Sequence, residues 1–333
     1  MTWLVWRQYR AQGAAALALL AAFAAVLVVS GLQIARQWHS IATACTAHAT
    51  GGSGCLDVSL GGSHAQLLIG LSTIVPAVLG FLWGAPLVAQ EVETGTVNFA
   101  WTQSITRTRW LSVKAGWLLL AAALWGGAIG ALATWWSGPR NALYQEQFQP
   151  GHFDIQGIVP IGYAVFATAL GVAAGAVLRR TLVAIAVTIG GFTAVRLLIS
   201  LVVRPHYLAA VTAYYRPMAG YSPPGSAWVV SEGVIDKHGH VYVGDAAALV
   251  NGVPVTAVPA SCRSLLYAGP DTLTRTHLQQ AVSCMQAGGF RGFTTYQPAS
   301  HYWPFQGIET GIFLALAAGL LAVTFAVVRN RDA

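Results

Sequence analysis

The sequence predicts an all-α polytopic membrane protein with a small α+β domain inserted before its last span, and three observations carry that prediction. Only 9% of the 333 residues are Asp, Glu, Lys or Arg, against 55% hydrophobic residues, about a third of the ~25% charge usual for soluble domains. Mean hydropathy is +0.58. Six apolar runs are long enough to cross a bilayer, and one polar stretch of ~100 residues separates the fifth from the sixth. Such a composition excludes a disordered chain, a nucleic-acid-binding arm and an ordinary cytosolic enzyme.

The six runs are Ala14–Ile34, Leu67–Ala89, Ala115–Trp136, Ile158–Leu178, Thr181–Val203 and Gly307–Val328. The first four carry no formal charge; the fifth contains Arg196 and the sixth Glu309. The first run also has the Arg7 and Arg10 flank of a signal peptide, but its 21 residues exceed the ~7–15 of such a core. It reads as a span. Basic residues in short loops set orientation because they resist translocation. With the N-terminus inside, the cytoplasmic segments hold nine basic and three acidic residues; the short outer loops hold only Arg36 and Arg140. Both termini are therefore expected in the cytoplasm, and the net charge of +7 is mostly an orientation signal rather than a mark of nucleic-acid binding.

This topology divides the chain into three parts. Residues 1–203 hold the first five spans, an N-terminal interfacial helix and a cytoplasmic loop over 90–114. Residues 204–306 form the extracytoplasmic domain. Residues 307–333 hold the sixth span and the tail. All four cysteines fall outside, where disulfides persist. Cys45 with Cys55 and Cys262 with Cys284 is the most economical of three pairings. Metal binding competes through the outer histidines, but no cysteine pair has the close spacing of a zinc site. Within the outer segment, Trp228–Asp236 and Val241–Val243 flank Lys237-His-Gly-His240 as a hairpin. A helix capped by Asp271 runs to about Ala287 and stops at Gly288-Gly289. Its face Leu273, His277, Gln280 and Cys284 turns Cys284 toward a partner.

No phosphate-binding loop is present, and the two lysines, Lys114 and Lys237, lie in no such context. Neither H-E-x-x-H nor G-x-S-x-G occurs. An energy source must be an ion gradient or another subunit. Arg196 lies ~24 Å along its span from Arg180 at 1.5 Å per residue, near enough to the outer surface to snorkel. Glu309 is also at an outer end. The two read as interfacial anchors or a mutual ion pair, with a substrate path as the alternative; no proton relay through the midplane is visible.

Gln90–Lys114 is the least membrane-like cytoplasmic stretch. Glu91 and Glu93 leave the second span, and Gly95 permits a sharp break. Thr96–Thr102, including Trp101, suits a short helix on the membrane. Ser104 or Thr106 is placed to cap a helix whose Arg107, Arg109 and Lys114 face the anionic leaflet. Glu91, Gly95-Thr96, Thr102-Gln-Ser104, Thr106-Arg107 and Lys114 together resemble the loop after the second span in ABC-2-type transporter permeases, the membrane subunits of type V ABC exporters. Trp3-Leu-Val-Trp6-Arg7-Gln-Tyr-Arg10 is similar to that family's amphipathic connecting helix. The stretch from Tyr296 through Trp303-Pro-Phe-Gln306 to Glu309 resembles the end of the outer domain in a GC-rich bacterial subgroup.

The resemblance implies a multi-pass permease of the bacterial plasma membrane that performs no covalent chemistry. Its partners would be a separate ABC ATPase, which holds ATP and Mg2+, and a second permease protomer, identical or not. It further implies that Thr96–Thr102 docks on the ATPase, with Glu91, Glu93, Arg107 and Arg109 as ionic contacts, and that an amphipathic substrate moves outward. Two other classes remain open on the residues alone. One is a membrane-embedded enzyme using His206, His238, His240, His277 or His301 with Asp236, Asp245 or Asp271. The other is a binding or sensory module acting through the outer domain.

Overall fold

The computed structural model describes residues 14, 17–36, 69–70, 74–78, 80–93, 106–217, 221–243, 258–266 and 275–330. The chain forms two compact units, Met1–Arg204 with Trp303–Ala333, and Pro205–Tyr302.

Among the described residues of the first unit, five helices are long and apolar enough to cross a membrane. They contain α1 (Leu17–Arg36), α3 (Arg107–Tyr144), α5 (Val159–Leu178), α6 (Thr181–Leu198) and α9 (Tyr302–Asn330). The second apolar run takes a different form. Among its described residues, Val75–Ala77 is a 3-10 turn with Pro76 inside it, Gly80–Gly84 is a π turn, and Ala85–Glu93 (α2) is regular α-helix. Proline removes a backbone donor and glycine lowers helix propensity, which fits the irregular winding before α2. The short α4 (His152–Ile155) lies in the connection between α3 and α5.

Helix α5 is the centre of the unit: 72% of its apolar window is buried, against 22% for α6 and α9. Lipid gives no hydrophobic drive between helices, so close packing of small residues does the work. Gly171 and Gly175 lie against the backbone of Gly80, Gly84 and Ala85, and Gly126 lies against Pro160 and Ile161. A side chain at any of these positions would collide with main chain. Gly307 and Gly311 have open space where a Cβ would stand, with no described residue packed against them. Indole donors add specific ties: Trp125 Nε1 donates to the Val75 carbonyl, and Trp136 Nε1 to Ser30 Oγ, both at 3.0 Å.

The second unit is a four-stranded antiparallel sheet in the order β1 (Val211–Tyr215), β4 (Arg291–Gln297), β2 (Trp228–Ile235), β3 (Val241–Tyr242). The expected hairpin is its β2–β3 pair. Helices α7 (Ala260–Leu266) and α8 (Arg275–Ala287) are joined by the Cys262–Cys284 disulfide. The core under the sheet gathers Val234, Val258, Cys262, Ala281, Met285 and Phe290. Helix α8 stops at Gly289, whose φ of +84° suits the residue without a Cβ. Asp271, the expected cap, and the Cys45 and Cys55 pair lie outside the described residues.

Candidate functional site

The end of the first unit that holds α4 contains a cluster of buried charge. Asp154 comes from α4, Tyr163 from α5, Arg196 from α6, Arg204 from the turn that follows α6, and Glu309 from α9. Arg204 Nε donates to Glu309 Oε2 at 2.7 Å, and its Nη2 reaches Glu309 Oε1 at 2.6 Å and Asp154 Oδ1 at 2.5 Å. Arg196 Nη2 donates to the other Asp154 oxygen at 2.9 Å. The Tyr163 hydroxyl donates to Glu309 Oε1 at 2.6 Å and accepts from Arg204 Nη2 at 3.2 Å. Arg204 is 1% exposed and Glu309 0%. Two guanidinium groups balance two carboxylates, the condition under which buried charge is tolerable.

Backbone geometry brings the two arginines together. Eight residues at 3.6 per turn would set Arg204 ~80° around the helix from Arg196. A π turn over Ile199–Val203 intervenes, and its wider i→i+5 winding rotates Arg204 back toward the face of Arg196. Both can then hold one carboxylate. Burial, the largest single influence, pushes the Asp154 carboxyl up. The charges of Arg204 and Arg196 and their hydrogen bonds outweigh it and hold Asp154 below the ordinary carboxylate range.

One turn before Glu309 on α9, Gln306 pins the backbone of the same connection. Its Oε1 accepts from the Ile158 and Val159 amides at 3.0 Å each, and its Nε2 donates to the Phe153 carbonyl at 3.1 Å. Those amides open α5, which has no side-chain cap of its own, so Gln306 serves helix α5 as a cap supplied from α9. Gly157, at φ +67°, sits against the Gln306 amide, where a Cβ would clash. The Phe305 and Phe148 rings meet edge-on at 5.0 Å. The stretch Phe305-Gln306-x-x-Glu309 is thus a docking strip on α9 for the α3–α5 connection. Beside it, Arg140 Nη2 pairs with Glu146 Oε2 at 3.2 Å, and Asn141 donates to Gln156 at 2.8 Å.

The opposite end of α6 carries a second polar clasp. The Glu93 carboxylate accepts from the Thr181 amide at 3.1 Å and the Thr181 hydroxyl at 2.5 Å, neutralising the positive end of α6. These bonds, the side-chain one first, hold Glu93 below the usual carboxylate range.

The sequence-selected residues are dispersed among these features. Arg196 and Glu309 share the cluster: Arg196 pairs with Asp154, and Glu309 with Arg204. Thr106 caps α3 by accepting from the Arg109 amide at 3.4 Å. Arg109 is exposed, whereas Lys114 is buried with its Nζ 4.7 Å from the Trp110 ring. Lys114 therefore does not present its charge at a surface, because the i, i+4 spacing folds it over the indole. Glu91 and Arg107 lie in α2 and α3. Gly95, Thr96, Trp101 and the Trp3, Trp6, Arg7, Arg10 segment lie outside the described residues. In the second unit Asp236 accepts the His238 and His240 amides at 2.8 and 2.9 Å, and its other oxygen lies 3.1 Å from His240 Nδ1. His301 Nδ1 lies 2.8 Å from Gln297 Oε1. Among the described residues no three His, Cys, Asp or Glu side chains converge to hold a metal.

The model of the family described as ABC-2 membrane transporter related matches residues 17–204. The chain belongs to this ABC-2-related family. The match takes in α1 to α6 together with Asp154, Tyr163, Arg196 and Arg204, while Gln306 and Glu309 lie beyond it. No curated protein and no solved structure matches the chain. Membership identifies a membrane component of an ABC transporter system, and the five apolar helices agree with a multi-pass membrane protein.

Proposed function

We propose that this chain is the membrane-spanning permease subunit of an ATP-driven exporter, moving an amphipathic substrate outward. The observation that carries the proposal is the family match, which spans the loop between α2 and α3 as well as the helices around it. On this reading the chain has six spans, with α2 and the residues before it forming the second, and both termini in the cytoplasm. Residues 90–114 seat the coupling helix on a separate ATPase, and Trp3–Arg10 lies in the interface plane. Two permease protomers and two ATPase subunits form the transporter, ATP and Mg2+ being bound by the ATPases. Closure of the ATPase pair pushes the coupling loop and rocks the helices between inward- and outward-facing states. The cluster at the α4 end then marks the outer side, where it locks α5, α6 and α9 to one connection. The Pro205–Tyr302 unit stands outside, where the Cys262–Cys284 bond persists.

The test is whether a neighbouring reading frame encodes a P-loop ATPase that co-purifies with this chain from detergent-solubilised membranes, followed by export and hydrolysis assays. Gly95→Pro and Glu91→Lys should leave the spans folded and uncouple hydrolysis from export. A complex whose hydrolysis and export ignore both substitutions would remove the loop from the coupling role.

A further inference from the structure

Helix α5 ends in an unusual way. Arg179 closes it with φ +55°, its amide donating to the Gly175 carbonyl at 3.2 Å. Among the described residues only Gln145 shares a positive φ without being glycine. That position at a helix end is the usual place of glycine, because a Cβ there is disfavoured. Arginine makes no use of its side chain inside the chain to offset this: Arg179 is exposed and has no hydrogen-bonded or ion-paired partner among the described residues. Strain kept at an exposed charged residue points to a contact outside the chain. Arg180 follows, also exposed and extended, and Thr181 then opens α6.

The clasp fixes where this turn lies. Glu93 closes α2, where the stretch assigned to coupling begins, and its carboxylate holds Thr181 through two hydrogen bonds. The Arg179–Arg180 turn is therefore bound to the root of the coupling loop. Resting on the permease reading above, we propose that this turn is a second docking element for the partner ATPase. It presents two guanidinium groups to an acidic, acceptor-rich groove on that partner, and the Glu93–Thr181 clasp keeps it in register with the coupling loop. Anionic lipid headgroups are the other class that guanidinium groups bind. The clasp sets the turn beside the stretch assigned to the ATPase, which favours a protein groove over the bilayer.

The experiment measures affinity of the purified partner ATPase for the full chain in neutral-lipid nanodiscs, at two salt concentrations, with thermal unfolding as a folding control. R179G relieves the backbone strain, so it should unfold no lower than the unaltered chain. It should nevertheless bind the ATPase roughly two- to fivefold more weakly, as expected for loss of one exposed ion pair. R179G with R180Q should lose about tenfold and show a shallower salt dependence. T181V removes no charge but weakens the clasp, and should lower affinity to a lesser degree. Unchanged affinity in R179G with R180Q overturns the docking role. If the same variant instead loses binding only to phosphatidylglycerol vesicles, the turn is a lipid contact and the proposal is equally overturned. Failure of the unaltered chain to bind the ATPase overturns the permease reading itself, a result separable from the other two.

Discussion

Arg204→Met is the most direct test of the buried cluster. The substitution keeps most of the side-chain volume and removes four short contacts: two to Glu309, one to Asp154 and one to Tyr163. Asp154 retains Arg196 at 2.9 Å, but Glu309, 0% exposed, loses the guanidinium that bonds both its oxygens. Removing one partner of a buried ion pair costs about 3–5 kcal/mol, because the other charge remains desolvated. For a unit of this size 1 kcal/mol corresponds to roughly 2–4 °C, so the unfolding midpoint should fall by about 6–20 °C. The assay is tryptophan fluorescence of the detergent-solubilised chain on heating, at one fixed scan rate because such unfolding is commonly irreversible. Arg204→Met with Glu309→Gln removes both members of that ion pair, leaves Asp154 with Arg196, and should recover most of the loss. A midpoint shift below ~3 °C for the single substitution, or a double variant no more stable than the single, would show that the Arg204–Glu309 pair does not hold the unit together.

Gly126→Val should prevent accumulation of folded chain, because even a Cβ there would overlap the Pro160 backbone, whereas Gly307→Ala should be nearly silent; fluorescence-detected size exclusion separates the two. Replacing Cys262 and Cys284 by serine opens a loop with a sequence separation of 22 and should destabilise the second unit by about 3 kcal/mol. Protease cleavage between Pro205 and Tyr302 should rise while the first unit stays resistant. Asp236 supplies a pH dependence. Burial pushes its carboxyl up, but the amide and ring bonds of His240 and the His238 amide bring it down to about 2, below the ~3.9 of an unfolded aspartate. Its stabilising effect is therefore complete above about pH 4 and lost as the pH falls through about 2. Asp236→Asn should flatten the acid limb of hairpin stability followed by hydrogen exchange; an unchanged limb would remove Asp236 from that role.

The apolar helices were legible because hydropathy is a local property that survives without knowledge of neighbours. The Cys262–Cys284 bond was legible because few cysteines leave few pairings. The sheet was harder. The hairpin of β2 and β3 announces itself through Lys237-His-Gly-His240, but β4 carries no strict alternation: Gly292, Phe293 and Thr294 are all buried in succession. A strand covered on both faces loses the period-2 signal, and β1 is recognisable only through its pairing with β4. The same limit applied to the cluster. Arg196 and Glu309 stand out as charges within apolar runs, whereas Asp154 lies in a connection and Arg204 at the edge of a span, where charge is ordinary. Their meeting is set by the π turn after α6 and by the docking of α9 on α4, neither of which any spacing encodes.

Helix α6 shows why polar groups matter so much here. Of its residues only Ala184, Thr188 and Phe192 are buried, and Ala184 packs among Ala85, Ala89 and Ala174. These are mostly small side chains with little dispersion surface, and lipid offers the exposed Leu182, Val183, Val187 and Ile189 an equally apolar alternative. Apolar contact alone therefore leaves the axial position and rotation of α6 weakly defined. Both are defined at its ends instead, by Glu93 on Thr181 and by Asp154 on Arg196 and Arg204. The two clasps differ in kind. Glu93 is exposed, so its bonds exchange with water at small cost, whereas the cluster is dry and its rupture would strand charge. A load applied at the Glu93 end would release or reset that clasp first and pivot α6 about the cluster. Movement of α6 should accordingly be largest near Thr181 and smallest near Arg204. Spin-label distances from 183 and from 201 to a common label on α5 would show the gradient, and equal displacement at both positions would refute it.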